Sequence, residues 1–255
     1  MNKKLQLVLL LFFVGFAGIL TTLPIYSYTI DYTPNLFKDF STLLQNNWFY
    51  LIGPTISLII AVTVGTLLHD KVNLRLPLFD NLVGRKEKSE KSEIKGIVLY
   101  GITGGIIGGL LITGIIIAFS PILPSDLLDA IQSNRVGLIT RVFSGAITGE
   151  ILHRFGFMTF LVWLGYKMSG KLSPSTYWTA IIVSVILFGV AQLTPTLIIG
   201  GTPPVSLIFY HLLVSGTSVT IAGWLYWKKG LEAAIITHVV ANVIMVLAAG
   251  VGVFG

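Results

Sequence analysis

The chain has 255 residues, of which 54% are hydrophobic and only 11% are charged, and its net charge is +6. A soluble domain carries about 25% charged residues, so this composition excludes a soluble enzyme and indicates a polytopic membrane protein. Nucleic-acid binding is not expected, because 12 of the 28 charged residues lie in the single segment 70–95. The chain has no cysteine, which excludes disulfides, thiolate catalysis and cysteine-based metal sites.

Seven apolar windows predict membrane-spanning helices, since backbone groups in lipid must form hydrogen bonds within their own segment. Lys3 and Lys4 precede the first window as in a signal peptide, but no small-residue cleavage site follows before Pro24, so we expect an uncleaved first span. The fold class expected is all-α, a polytopic transmembrane helical bundle of about seven to eight spans that forms one integral membrane domain over residues 1–255. The windows are residues 5–24, 48–68, 97–119, 136–167, 177–194, 204–227 and 231–253.

The charges of the connections predict the orientation of this bundle. The amino terminus and every second connection are basic, whereas the connections between them are acidic or uncharged. By the positive-inside rule, this alternation predicts a multi-pass protein of the cell membrane with a cytoplasmic amino terminus. The most basic connection is residues 70–96, for which we expect a solvated cytoplasmic loop, with a regulatory docking site as the alternative.

Two windows differ from a plain apolar span. In the third, Gly101, Gly105 and Gly109 recur every four residues, which predicts a helix face that packs closely against another helix. The fourth has 32 residues, Val136 to Lys167, and would be about 48 Å long as an α-helix, against a hydrocarbon core of about 30 Å. We therefore expect this segment to tilt, break or extend beyond the bilayer.

The centre of the fourth window contains Glu150, His153 and Arg154. A lipid-facing helix would exclude all three residues, so we expect them to face protein or water. Glu150 and Arg154 are four residues apart and share a helix face. They can form an ion pair that either stabilises the helix or organises a functional site.

The last window repeats this spacing with His238 and Asn242. Such a pair either joins helices through hydrogen bonds or donates hydrogen bonds to a developing oxyanion in acyl-transfer chemistry. His69 and His211 have no partner at metal-ligand spacing, and we expect each to be a hydrogen-bonded or interfacial histidine. No metal site and no cofactor are expected.

The order of these features resembles the CPBP family, the CAAX-prenyl-protease and bacteriocin-processing proteins, which are intramembrane glutamic endopeptidases. The family motifs EExxxR, FxxxH and HxxxN correspond here to Gly149–Arg154, Phe188–Gln192 and His238–Asn242. The resemblance covers a core of residues 136–250 and keeps the order and spacing of the motifs. It implies that Glu150 and Arg154 organise a peptidase site, and that His238 and Asn242 stabilise the oxyanion.

Two positions depart from the family pattern. The family's first glutamate and its second-motif histidine are understood to hold and deprotonate the attacking water, and these positions are Gly149 and Gln192 here. Neither residue is a base near neutral pH. We therefore favour a degenerate endopeptidase site, retained for binding a membrane-embedded or membrane-proximal peptide or lipidated protein, as in an immunity or regulatory scaffold. Phe188 and Gln192 are then candidate binding residues.

The alternative is an active intramembrane endopeptidase, of the CAAX or bacteriocin-processing type, with a displaced general base. His153 is the candidate base, because it lies four residues after Gly149 on the same helix face. A small transporter would need paired broken helices or repeat symmetry, and the sequence has neither.

Overall fold

The structure is a computed structural model that describes residues 2–24, 47–85, 90–132, 136–194 and 201–253. Every regular element in these residues is a helix, which confirms the predicted all-α class. The helices outside the fourth window are α1 (Lys3–Leu20), α2 (Ile52–Leu68), α3 (Pro77–Leu82), α4 (Lys91–Phe119), α5 (Ser125–Gln132), α7 (Pro174–Ala191), α8 (Val205–Lys229) and α9 (Leu231–Gly250). Short 3₁₀ turns cover Asn47–Leu51, His69–Val72 and Ser120–Ile122.

Six of the described helical segments are long and apolar enough to cross a membrane. They contain α1, α2, α4, α7, α8 and α9, and they correspond to six of the seven predicted windows. The fourth window forms a composite helix, α6, over residues 138–169. The prediction of a polytopic transmembrane bundle is therefore confirmed.

Helix α6 is continuous but changes its hydrogen-bonding register. It begins as Leu138–Thr140 and ends as Thr159–Ser169, with π-helical turns over Arg141–Thr148 and Ile151–Met158. The side chain of Thr148 donates a hydrogen bond to the carbonyl five residues earlier (3.1 Å), as Thr159 also does. Wide turns of this kind are frequent at functional sites, and they flank Gly149 and Glu150 directly.

The glycine ridge of α4 packs against α9. A Cβ atom built at Gly101 would lie 2.8 Å from Ile236 Cβ, and one at Gly105 would lie 2.5 Å from Val240 Cβ. Real side chains do not approach so closely, so the two backbones are adjacent only because these residues lack a Cβ atom. The predicted close packing is confirmed, and it fixes α9, which carries His238 and Asn242.

Helix α6 is held by α1 and α2. The Thr148 hydroxyl donates a hydrogen bond to the Gly15 carbonyl of α1 (2.7 Å). On the α2 side, a Cβ atom built at Gly156 would lie 2.4 Å from Ala61 Cβ. These close contacts place α6 inside the bundle, away from lipid on two sides.

Much of the connection between α2 and α4 is folded into the protein, which corrects the expectation of a solvated loop. Val72, Leu74 and Leu76 are 0–1% exposed and belong to the main hydrophobic core. Glu232, in the first turn of α9, accepts hydrogen bonds from two backbone N–H groups of α3 (2.8 and 2.9 Å). Apolar side chains in this basic segment drive it back onto the bundle, because their burial is favourable.

Charged residues of the same connection form a partly buried cluster. Arg85 donates to Asp80 (2.9 Å) and pairs with Asp70 (2.5 Å), and Asp80 is fully buried. His69 is fully buried, its Nδ1 donates to the Leu74 carbonyl (3.1 Å), and its Nε2 accepts from Arg85 (2.9 Å). The prediction of a hydrogen-bonded His69 is thereby confirmed.

Candidate functional site

A cavity of about 390 Å³ lies between α6, α7, α8 and α9, and it brings most of the motif positions together. Helices α1, α2 and α4 complete its wall. Among its lining residues are Gly149, His153, Arg154, Phe188, Gln192, His238 and Asn242.

Glu150 lies behind the cavity wall and joins two residues that line the cavity. Its side chain is fully buried, and Oε1 lies 2.8 Å from Nδ1 of His238. Its other oxygen, Oε2, lies 3.0 Å from Nε of Arg154, an ion-pair contact without hydrogen-bond alignment. Arg154 also donates to the Ser218 carbonyl of α8 (3.3 Å). One carboxylate therefore connects side chains of α6 and α9, and its arginine partner reaches α8.

The contact with Glu150 determines the proton positions on His238. As the ion-pair partner of Arg154, Glu150 is a carboxylate, which only accepts hydrogen bonds, so Nδ1 of His238 is the donor. Nε2 is then the ring nitrogen left for a ligand. A neutral His238 accepts at Nε2, and it donates to an oxyanion only as the imidazolium, whose charge Glu150 balances. A role as oxyanion donor through Nε2 therefore requires a proton on both ring nitrogens of His238.

His153 also uses Nδ1 for a hydrogen bond within the protein, in this case to a backbone carbonyl. Its Nδ1 lies 2.8 Å from the Gly149 carbonyl, an acceptor, so Nδ1 carries the proton. Nε2 of the neutral ring is then an unprotonated acceptor. The ring packs edge-on against Phe188, with 4.6 Å between the ring centroids, which restrains its orientation. His153, like a neutral His238, therefore presents to the cavity an unprotonated ring nitrogen that can act as a base.

Asn242 contributes a partly used amide. One N–H of Nδ2 donates to the Arg141 carbonyl (3.1 Å), which links α9 to α6. An amide nitrogen carries two donors, so one N–H has no partner among the described residues and is available to a ligand. Asn242 is 8% exposed and lines the cavity.

The two departures from the family motif are at the cavity surface. Gly149 has space above it, since a Cβ atom built there would meet the Ser144 carbonyl at 3.6 Å and His153 Nδ1 at 4.0 Å. Gln192 follows the last residue of α7 and is exposed. Both positions line the cavity, so a side chain at either one would reach the space where a ligand binds.

A second, almost wholly apolar pocket of about 230 Å³ adjoins this cavity. The two share His153, Arg154, Phe188 and Val219 in their walls. A ligand can therefore place a polar group in the cavity and an apolar group in this side pocket. That division is typical of sites in which a few polar groups fix orientation and apolar walls supply affinity.

Sequence reasoning missed the contribution of α8. Ser215 and Ser218 line the cavity, and the Ser218 carbonyl accepts from Arg154. The signal was present as the polar run Ser215 to Ser218 inside an apolar window. His211, which belongs to the same helix, does not line the cavity; its ring lies 5.2 Å from that of Tyr210.

Comparison with known proteins relates the chain to one family. Residues 131–244 match the family model described as type II CAAX prenyl endopeptidase Rce1-like. The matched segment includes all three motif positions, the whole of α6, α7 and α8, and most of α9, which together form most of the cavity wall. The curated proteins and the solved structures gave no match to this chain.

Proposed function

Because the chain belongs to the CPBP family of CAAX protease-like membrane proteins, we propose that its cavity binds a peptide within or beside the membrane and does not hydrolyse it. The observation that carries the proposal is the division of the motif positions. The organising and oxyanion positions are present and connected, while the two water-activating positions hold no base. The site therefore retains groups that recognise a carbonyl oxygen without the pair that would attack it.

The retained half supports tight recognition. Glu150 fixes His238 through Nδ1, and Asn242 has one free N–H beside the cavity. Donors that are held in position beside apolar walls bind a carbonyl or carboxylate oxygen more strongly than the same donors in solution. This chemistry suits a peptide backbone or a peptide carboxyl group.

The absence of the two water-activating side chains argues against the hydrolytic mechanism of the family. A general base must accept a proton from water held within about 3 Å of it. Gly149 has no side chain, and the Gln192 amide does not accept a proton near neutral pH. Glu150 does not replace the missing carboxylate, because both of its oxygens face Arg154 and His238.

The side pocket favours a peptide over a prenylated partner. A dry cavity of about 150 Å³ holds one benzene ring, or about 25 Å³ per carbon atom. On that scale the 230 Å³ pocket accepts about nine carbon atoms. An aliphatic or aromatic amino-acid side chain fits this volume, whereas a farnesyl chain is larger.

An active peptidase with His153 as the base is the second candidate function. It is favoured by one observation: the hydrogen bond from Nδ1 to the Gly149 carbonyl leaves Nε2 unprotonated on a ring that lines the cavity. This candidate predicts that His153→Ala abolishes cleavage while Gly149→Ala preserves it.

One experiment tests both functions. The protein is reconstituted in liposomes and offered a library of transmembrane peptides, each with and without a prenyl group. Binding is measured by photo-crosslinking, and cleavage is measured by mass spectrometry. The natural protein should bind unprenylated peptides without cleaving them, and the Gly149→Glu, Gln192→His double variant should cleave the same peptides.

The single variants are the matched controls, because each supplies only half of the water-activating pair. Cleavage by the natural protein would contradict the binding function, and its loss in His153→Ala would then establish the second candidate. Absence of peptide binding in both the natural protein and the double variant would refute both functions.

A further inference from the structure

The bundle has one basic end, at which distant parts of the chain meet. Lys3 of α1 donates a hydrogen bond to the Gly84 carbonyl, and Lys229 at the end of α8 lies 4.0 Å above the ring of Tyr100 in α4. The backbone N–H of Leu231 donates to the Arg75 carbonyl (3.1 Å). The amino terminus, the α2–α4 connection and the α8–α9 turn therefore lie together.

This end carries most of the positive charge of the chain. The hydroxyl of Tyr177, in the first turn of α7, donates to the Val72 carbonyl (2.9 Å), so the connection before α7 also lies here. The amino terminus and the segments 71–85, 91–95, 167–171 and 228–229 contain 11 of the 13 Lys and Arg residues that the structure describes. By the positive-inside rule, such an end faces the cytoplasm. The other end of the bundle then faces the outside.

The residues that line the cavity lie toward the end of the bundle opposite the basic end. Its wall includes Ile19 and Thr22 at the end of α1, Pro54 at the start of α2 and Gln192 after the end of α7. On α9, Asn242 lies 11 residues beyond Leu231, about 16 Å from the basic end at ~1.5 Å per residue. The cavity thus runs from mid-membrane toward the outer end of the helices.

The basic end is closed beneath the cavity. Val72, Leu74 and Leu76 pack there with exposures of 0–1%, and Leu231 and Tyr226 are fully buried in the same core. The buried Asp80–Arg85 pair covers this layer. A cytoplasmic ligand would have to displace a packed hydrophobic layer to reach the cavity, and exposing that layer is unfavourable.

We infer that the cavity is reached from the outer face of the membrane, so that its partner is a peptide segment presented on that side, such as an exported peptide or an outer segment of a membrane protein. The inference rests on the proposed binding function and deepens it by naming the side of entry. Entry from the outer face excludes cytoplasmic proteins as the partner, with or without a lipid modification.

The natural absence of cysteine makes this side directly measurable. Single cysteines are introduced by Ser144→Cys and Gln192→Cys, both in the cavity wall, and are treated with a membrane-impermeant maleimide in intact and permeabilised cells. Ser125→Cys, in the first turn of α5, is the outer control, and Ser92→Cys, at the basic end of α4, is the inner control; both serines are exposed.

The two cavity cysteines should react in intact cells together with Ser125→Cys, while Ser92→Cys reacts only after permeabilisation. Reaction of the cavity cysteines only after permeabilisation, or in neither condition, overturns the inference. Failure of the peptide-binding assay with outer labelling intact would refute the proposed function alone. Inner labelling with peptide binding intact would refute the side of entry alone.

Discussion

Replacing Glu150 tests whether the buried network holds the site together. Glu150→Leu removes the carboxylate that contacts Arg154 at 3.0 Å and His238 at 2.8 Å. Arg154 then remains in the protein interior, where it is only 4% exposed. We expect a large loss of stability, because an unpaired charge is left in an almost fully buried position.

The size of the expected stability loss depends on how deeply the ion pair is buried, and not on the distance between its charged atoms. Removing one partner of a buried ion pair costs about 3–5 kcal/mol. The Arg75–Glu93 pair has a shorter contact of 2.7 Å, but its side chains are 54% and 32% exposed. Glu93→Leu should therefore cost about 0–1 kcal/mol, the range of an exposed pair.

The assay is unfolding by sodium dodecyl sulfate in mixed micelles. Unfolding is monitored by the loss of the helical circular dichroism signal and by the change in Trp fluorescence. Glu150→Leu should lower the free energy of unfolding by about 2–4 kcal/mol more than Glu93→Leu does. The double variant Glu150→Leu, Arg154→Met should recover part of that loss, because no unpaired charge then remains at either position. Equal losses in the two single variants would refute the reasoning that burial decides the value of the pair.

Two further substitutions probe the packing that positions α9. Gly105→Ala should destabilise the protein by about 1–3 kcal/mol, because its Cβ atom would lie 2.5 Å from Val240 Cβ; Gly114→Ala on the same helix has open space and should be neutral or stabilising in the same unfolding assay. Equal effects of the two alanines would contradict the close approach of α4 and α9. Glu232→Ala should cost about 1–3 kcal/mol, because two partly buried N–H groups of α3 lose their acceptor. Glu232→Gln keeps an acceptor oxygen and should lose less, and a Gln variant as unstable as the Ala variant would count against this hydrogen-bonding role.

Apolar length and glycine spacing made the bundle predictable from the sequence. Backbone groups in lipid must be paired within the segment, so hydropathy alone identifies the spanning helices. The fold of residues 70–85 was not predictable in the same way, because its charged residues suggested solvent exposure. Leu74 and Leu76 are buried through contacts with distant helices, and Arg85 finds Asp80 only once that packing exists.

The site was predictable as a set of residues but not as a network. Spacing placed Glu150 and Arg154 on one face and indicated their ion pair. The contact of Glu150 with His238 joins residues 88 positions apart, and it depends on how closely α6 and α9 approach. The π-helical turns around Glu150 have no simple sequence signal, and they alter which residues share a face.

The motif positions that this chain retains are also the ones that join its helices. Glu150, Arg154 and Asn242 link α6 to α9 and α8 through side-chain contacts. At position 149, by contrast, a built Cβ atom would meet only atoms of α6 itself. The absence of a carboxylate at position 149 removes a water-activating group with little effect on helix packing. Loss of Glu150, by contrast, would leave the buried Arg154 without its carboxylate partner. Retention of these linking residues is therefore expected in a folded relative whether or not it hydrolyses peptides, and activity must be judged from positions 149, 153 and 192.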